Sequence, residues 1–377
     1  MKIAINARLL LPNKIDGISR FGYEILKRWV KSHPNVTFHF LFDRQWAEEM
    51  IFGENVVPHI VAPPLRHPFL WYAGFHVTIP LYLKRLKADA FFSPEFYLPM
   101  GSKLPKIAVF HDLDYEIRPQ DVPSALALRY YQHFFPKYGQ AANHVISVSN
   151  YTKQNLIERY HIEEQKITVA YNGCDAHFFH PISEAKQQQI RAKYADGKPF
   201  FHFTGTIQPR KNIENLLLAF DAFKKNYSSD IQLLLVGKQG WKTQSAMETY
   251  QKMEHKDAVK FTGFVSDEDL AAIHASSLGL CLVSFLEGFG IPAVEAMNCA
   301  SPIIAANTGA LPEVCGQAAL FASPHSPEEI QHALFQLATN PTLRQELIEK
   351  GQIQKERFSW DKSAAVIWAE MEKLCAS

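Results

Sequence analysis

A chain of 377 residues is too long for one ordinary core, so two domains of Rossmann size are the natural expectation. Lys and Arg number 39 against 38 Asp and Glu, and a formal net charge of +1 gives nucleic acid no electrostatic footprint to bind. A hydrophobic content of 47% fits a soluble globular protein, and five scattered cysteines (Cys174, Cys281, Cys299, Cys315, Cys375) with no CxxC pair argue for reduced thiols in a cytosolic setting.

The opening stretch, MKIAINARLL, reads as a strand and not as a signal peptide. Asn6 and Arg8 interrupt its apolar run, and no small-residue cleavage site follows. IDGISRFGYEILKRW, residues 15–29, puts Gly17 in a loop and opens a helix near Ser19 or Arg20; it is not a GxGxxG fingerprint. The next strand candidate is TFHFLF. Residues 67–87 are aromatic and then basic, ending in LKRLK. Two prolines and two histidines interrupt the apolar part, and no segment of the chain reaches the length of a spanning helix. Two readings of this stretch stay open. It is a helix packed on the first sheet, or it touches a membrane carrying a lipid-linked acceptor, with Lys84, Arg85 and Lys87 near anionic headgroups. DAFFS, KIAVFHD, HVISVS and KITVAYN complete the first half. These runs are short, continuous and rich in Val, Ile and Phe, the pattern of strands buried on both faces of a parallel sheet. His111 closes KIAVFHD, either as a site residue or as a hydrogen-bonded loop histidine. In SVSNYTKQNL, Ser149 reads as a helix cap.

Residues 180–199 are polar, with prolines near both ends, and mark the break between halves. Beyond them FFHFTG, IQLLLVG, VKFTGF, LGLCLVS, PIIAAN and ALFAS alternate with helical stretches such as 212–226, 267–276 and 292–298. Long amphipathic helices at 341–357 and 360–374 close the chain. Strands alternating with helices mean βαβ units and two doubly wound sheets, which bind ligands beyond the carboxyl ends of their strands.

Two stretches carry the chemistry. In FTGTIQPRKNIENLLLAF a strand ends at Gly205, a helix opens near Asn212, and Arg210 and Lys211 stand at its mouth, where a diphosphate needs countercharge. The competing reading is a basic pair on a solvated turn. In SFLEGFGIPAVEAMNCASPIIAANTGALPEV a strand runs into Gly288 and Gly290, and Pro292 takes the first position of a helix. The amides around Gly288, Phe289, Gly290 and Ile291, with the helix dipole, make an anion site. Glu295, in the first turn, either complements the dipole or offers its two oxygens to the adjacent hydroxyls of a ribose. Glu287 then faces another part of the same ligand.

EGFGIPAVEA, with the later TGALPEV, resembles the E-x7-E motif of the retaining glycosyltransferases of family 4, and the resemblance covers essentially the whole chain. It implies the GT-B fold, an α/β architecture of two doubly wound Rossmann-like domains facing across a cleft. Residues 1–180 would bind the acceptor and 181–359 the nucleotide-sugar donor, with the helix at about 360–377 packing back on the first domain. By the same resemblance Glu295 holds the donor ribose and Glu287 contacts the donor sugar. Gly288, Phe289, Gly290 and Ile291 hold the diphosphate through their amides, and His111 approaches the donor sugar. Gly17 belongs to the loop that closes over the donor phosphates and borders the acceptor. The family usually has an arginine directly after the glycine of the second-domain strand, and a lysine five residues beyond. Lys211 matches the lysine; Thr206, after Gly205, stands in the arginine's place, which makes Arg210 the candidate for the second cation. The PRKN variant resembles bacterial polysaccharide mannosyltransferases. It implies a hexose, mannose from GDP-mannose, passed to a growing bacterial glycan, by a cytoplasmic enzyme that the membrane reading would put at the inner face.

No cofactor is expected, because the nucleotide-sugar is a substrate, and no metal. Asp112-Leu113-Asp114 has the D-x-D form of metal-dependent glycosyltransferases, but a three-residue pattern is common by chance, and Asp112 reads as a turn residue after the strand. No nucleophile is assigned, neither Asp112 nor Glu287. Two other functions fit the fold: a nucleotide-sugar 2-epimerase, and a nucleotide-sugar-binding module without catalysis.

Overall fold

A computed structural model describes residues 1–12 and 17–376. Ile15 and Asp16 of the first glycine loop lie outside the described residues. The first sheet contains β1 (Lys2–Asn6), β2 (Thr37–Phe42), β3 (Val56–Ile60), β4 (Ala90–Ser93), β5 (Lys106–Phe110), β6 (His144–Ser147) and β7 (Ile167–Val169). Its order is β3-β2-β1-β4-β5-β6-β7, parallel throughout. The second contains β8 (Phe200–Thr204), β9 (Gln232–Val236), β10 (Val259–Gly263), β11 (Gly279–Leu282), β12 (Ile303–Ala306) and β13 (Ala319–Ala322). Its order is β10-β9-β8-β11-β12-β13, again parallel. Helices cover both faces, so β4, β5, β8 and β9 are buried at every residue, as continuous apolar runs require.

β3 is the one strand the apolar runs do not announce. VVPHI contains Pro58, which argues against a strand. It lies at the sheet edge, where a missing N–H costs the fewest ladder bonds.

The chain divides into two compact units, Met1–Asn172 with Ser359–Ser377, and Gly173–Phe358. Strand order reverses once in each sheet, between β1 and β4 and between β8 and β11. At such a reversal the connections leave toward opposite faces, which opens a crevice at the carboxyl ends of the two central strands.

In the first unit the helix Gly17–Ser32 begins at Gly17, two residues before the expected start, so Gly17 is helical and not a loop residue. The final helix, Trp360–Ala376, closes on it: Trp29 Nε1 donates to Ala364 O at 2.9 Å, Arg28 pairs with Asp361 at 2.5 Å, and Trp368 stacks on His33. Residues 68–86 form one helical run broken by a π turn, Gly74–Thr78, between Pro68–Ala73 and Ile79–Leu86. Trp71, Phe75, Ile79 and Leu83 are buried in the core of this unit. Phe69, Tyr72, Val77 and Leu81 are exposed, Phe69 to 69% and Leu81 to 63%. A π turn advances less per residue than an α turn, so Val77 and Leu81 stay on the face of Phe69 instead of drifting round the helix. Among the described residues no helix is long and apolar enough to cross a membrane.

In the second unit the polar stretch at 180–199 is no bare linker. It holds the helix Glu184–Ala195, capped by Ser183, which buries Ile190 and Ala195.

Candidate active site

The turns after β8 and β9, beside the reversal of the second sheet, are locked together by backbone geometry. Gly205, after β8, has φ +138°, and Gly237, after β9, has φ +131°. A Cβ on Gly237 would lie 2.1 Å from Gly205 O, so only glycine allows these neighbouring turns to touch. Thr206 is half-buried in the same turn. A single 3₁₀ turn, Pro209–Lys211, leads to Asn212 at φ +58° and then to the helix Ile213–Asn226. Asn212 does not cap this helix with its side chain. Its Nδ2 donates instead to Val283 O at 2.9 Å and Pro324 O at 2.7 Å, and Phe285 N donates to Arg210 O at 2.9 Å. The β8 turn is thereby stitched to the loop after β11.

That stitching sets Arg210 and Lys211 against Glu287. Glu287 is buried; Arg210 Nη1 donates to its Oε2 at 2.9 Å, and Lys211 Nζ and Ser284 Oγ donate to its Oε1, each at 2.6 Å. Arg210 Nη1 also donates to Leu286 O at 2.8 Å. Burial alone would raise the Glu287 pKa; the charges of Lys211 and Arg210, with the hydrogen bonds from Lys211 and Ser284, outweigh it and hold the carboxyl at about 2. The basic pair is therefore no solvated turn, since its side chains are only 16% and 11% exposed. Two cations and one carboxylate therefore meet at the carboxyl ends of β8 and β11.

The glycines after β11 and β12 are positional. Gly309, in the later TGALPEV turn, has φ +64°, and a Cβ there would sit 2.8 Å from Glu287 O. Ala310 N donates to that same oxygen at 3.0 Å, so the second glycine turn closes over the backbone of Glu287. Gly290, at φ +99°, precedes the helix Ile291–Asn298. Two expectations change here. Pro292 is the second helical residue and not the first, and Glu295 lies past the first turn. Glu295 therefore does not serve the helix dipole. Its side chain is 12% exposed, with Oε2 3.7 Å from Nε2 of the buried His274. Ser284, Asn212 and His274 are additions that no spacing in the sequence announces, because each meets its partners through the fold.

In the first unit His111 follows β5 and is buried. Its Nε2 donates to Pro94 O at 2.8 Å, which leaves Nδ1 as the acceptor of the neutral ring. Burial lowers its pKa, against the Pro94 bond and the charges of Asp112 and Glu95. Asp112 Oδ1 accepts from Asp114 N at 3.1 Å, closing the expected turn. At the reversal of this sheet Arg8 grips Glu95 with two bonds of 2.5 and 2.6 Å, and Asn6 Nδ2 donates to Glu95 at 2.7 Å. The sequence signal for this cluster is a polar residue ending an apolar strand.

Family comparisons match both units. A model described as Glycosyltransferase Family 4 matches residues 15–178, and one described as Glycosyl transferases group 1 matches residues 185–354. The chain belongs to the family 4 glycosyltransferases. Among its relatives, O-antigen chain mannosyltransferase B of Escherichia coli is 28% identical over 92% of this chain and 93% of that one. O-antigen chain mannosyltransferase RfbU of Salmonella typhimurium is 28% identical over 78% of this chain and 79% of that one. Among solved structures, Anabaena HepE in complex with UDP and glucose superposes with a TM-score of 0.77 at 16% identity, over 98% of this chain and 99% of that one. The fold of this family 4 glycosyltransferase is GT-B.

The ion cluster sets a pH dependence. The Glu287 carboxyl is depressed from 4.5 to about 2 on folding, so its contribution is complete above pH 4.5 and is lost as the pH falls through 2. A depression of that size corresponds to on the order of 3 kcal/mol. Glu287→Gln is expected to be less stable than wild type at neutral pH, with the gap closing on acidification between pH 4.5 and 2. Urea denaturation at a series of pH values measures it; a gap independent of pH in that window contradicts the ion pairing.

Proposed function

We propose that this glycosyltransferase moves a hexose, mannose from GDP-mannose, to a growing bacterial glycan, with retention of anomeric configuration and without a metal. The observation that carries the reading is the buried cluster of Arg210, Lys211 and Glu287 at the carboxyl ends of β8 and β11. A departing nucleoside diphosphate gains negative charge as the glycosidic bond breaks. Lys211 and Arg210, oriented beforehand by Glu287, would meet that charge without reorganising, and the amides of Gly288, Phe289, Gly290 and Ile291 would share it. In this reading Arg210 supplies the cation that the family places at the position of Thr206. Glu295 takes the ribose hydroxyls, His111 keeps the sugar-side role that the family resemblance assigns, and Gly17 would meet the donor phosphates from the start of its helix and not from a loop. Mannose is favoured by the names of the E. coli and Salmonella relatives. Two cations at one turn also remove the need for a divalent ion to carry the diphosphate charge.

The purified enzyme is expected to transfer mannose from GDP-mannose to a glycan acceptor in excess EDTA. Lys211→Ala should lower kcat by roughly two decades, the scale of one lost charge-stabilising group. Activity abolished by EDTA and restored by Mn²⁺ contradicts metal independence, and a change in KM alone reduces Lys211 to a binding residue. An isomerised sugar formed from donor without acceptor would instead indicate an epimerase.

The acceptor side extends to a membrane. Phe69, Tyr72, Val77 and Leu81 share one exposed face, and exposed Lys84, Arg85 and Lys87 follow them. Apolar side chains at headgroup depth beside cations favour an anionic lipid surface, which suits a lipid-linked glycan acceptor. The enzyme should sediment with vesicles containing anionic lipid, more weakly at high salt, and Phe69→Ser with Leu81→Ser should reduce binding at least about fivefold, in line with two lost apolar side chains. Binding unchanged by that double substitution removes this face from the reading.

A further inference from the structure

Beneath Glu295 lies a chain of two histidines that no role described so far uses. His202 sits in the middle of β8, and His274 in the helix Asp267–Ser276 that covers that face of the sheet. Both rings are fully buried. His202 Nε2 and His274 Nδ1 are 2.9 Å apart and share one proton, with the rings nearly perpendicular. The remaining nitrogen of His274, Nε2, makes no hydrogen bond and lies 3.7 Å from Glu295 Oε2. Burial holds the His274 pKa down to about 3, and burial, with His274 beside it, holds His202 well below its usual value, so both rings are neutral.

We propose that His274 is a positioning residue for Glu295: with a proton from His202 on its Nδ1 side, His274 presents an Nε2–H to Glu295 Oε2 and fixes that carboxylate for the ribose hydroxyls. This deepens the ribose reading of Glu295 and rests on it. Charge decides the direction of the shared proton. If His274 donated to His202, its Nε2 would turn a lone pair toward a carboxylate oxygen. If His202 Nε2–H donates to His274 Nδ1, the neutral tautomer of His274 carries its proton on Nε2, aimed at that oxygen. The other nitrogen of His202, Nδ1, makes no hydrogen bond, and the nearby backbone of Gly279 would favour a proton there and so the opposite direction, but a bond to an ionised carboxylate is the stronger of the two. The 3.7 Å separation is longer than a hydrogen bond, and such contacts commonly tighten when the ligand binds. A carboxylate asked to accept from two hydroxyls at once needs a fixed plane, and a donor on the far side of one oxygen supplies it.

The test is isothermal titration of the full-length enzyme with GDP and 2′,3′-dideoxy-GDP, and with the UDP pair in parallel. The quantity read is the affinity ratio between each nucleotide and its dideoxy analogue. Wild type should prefer the ribonucleotide by at least about tenfold, and Glu295→Ala should bring the ratio near one. His274→Phe should lower the ratio at least about threefold with the dideoxy affinity held within about twofold, and His274→Gln, which keeps a donor, should recover most of it. A wild-type ratio in His274→Phe, together with loss of the ratio in Glu295→Ala, overturns the positioning role. A wild-type ratio in Glu295→Ala overturns the ribose reading beneath it. Nitrogen-15 spectra of the wild-type imidazoles decide the tautomer without any substitution: a proton on His274 Nε2 is expected, and a bare Nε2 rejects the proposal.

Discussion

A carboxylate buried between two cations organises the second half of this protein. Glu287 sits where a lone charge would cost several kcal/mol of desolvation, and it is retained as a carboxylate because Lys211, Arg210 and Ser284 all donate to it. The partners come from two pieces of chain: the basic pair from the turn after β8, the serine from the loop after β11 that also holds Glu287. The ion cluster therefore fixes the spacing of the two turns that flank the strand-order reversal. Asn212 and the Phe285–Arg210 backbone bond fix the same spacing independently, and Gly309 lets the TGALPEV turn lie directly on the Glu287 backbone.

The arrangement explains why glutamates and phosphate-binding turns can share one segment. A carboxylate beside a diphosphate would repel it in isolation. Here both oxygens of Glu287 accept from protein donors, so its charge is met within the cluster. Glu295 lies past the first turn of its helix and is backed by neutral histidines. In the proposed reading, cations, amides and a hydroxyl acceptor together hold a nucleoside diphosphate, in keeping with membership of family 4.

Much of the fold is legible in the sequence because buried parallel strands must be apolar at consecutive positions. FFHFTG and IQLLLVG are β8 and β9 for that reason alone. β3 escapes this signal because an edge strand tolerates Pro58. The start of the first helix at Gly17, and the position of Glu295 beyond the first turn of its own helix, are missed for a common reason: glycine and proline mark the neighbourhood of a helix start but not its residue. The site is legible as far as local spacing carries it. Arg210 and Lys211 are adjacent, and the two glutamates frame one turn, so their nearness to a ligand is a local inference. Their pairing is not, since 76 residues separate Lys211 from Glu287 and 72 separate His202 from His274. A histidine within FFHFTG reads as core, and only the fold reveals that it points at another histidine and, through it, at Glu295.

The central claim is that the Glu287 cluster is a preformed diphosphate site. A crystal structure of the enzyme with bound GDP tests it most directly. The account predicts the β-phosphate within hydrogen-bonding distance of Lys211 Nζ, with Arg210 and Lys211 still bonded to Glu287 and the ribose hydroxyls on the Glu295 carboxylate. A nucleotide whose phosphates lie away from Lys211, or one that binds only after Glu287 has released both cations, would contradict it.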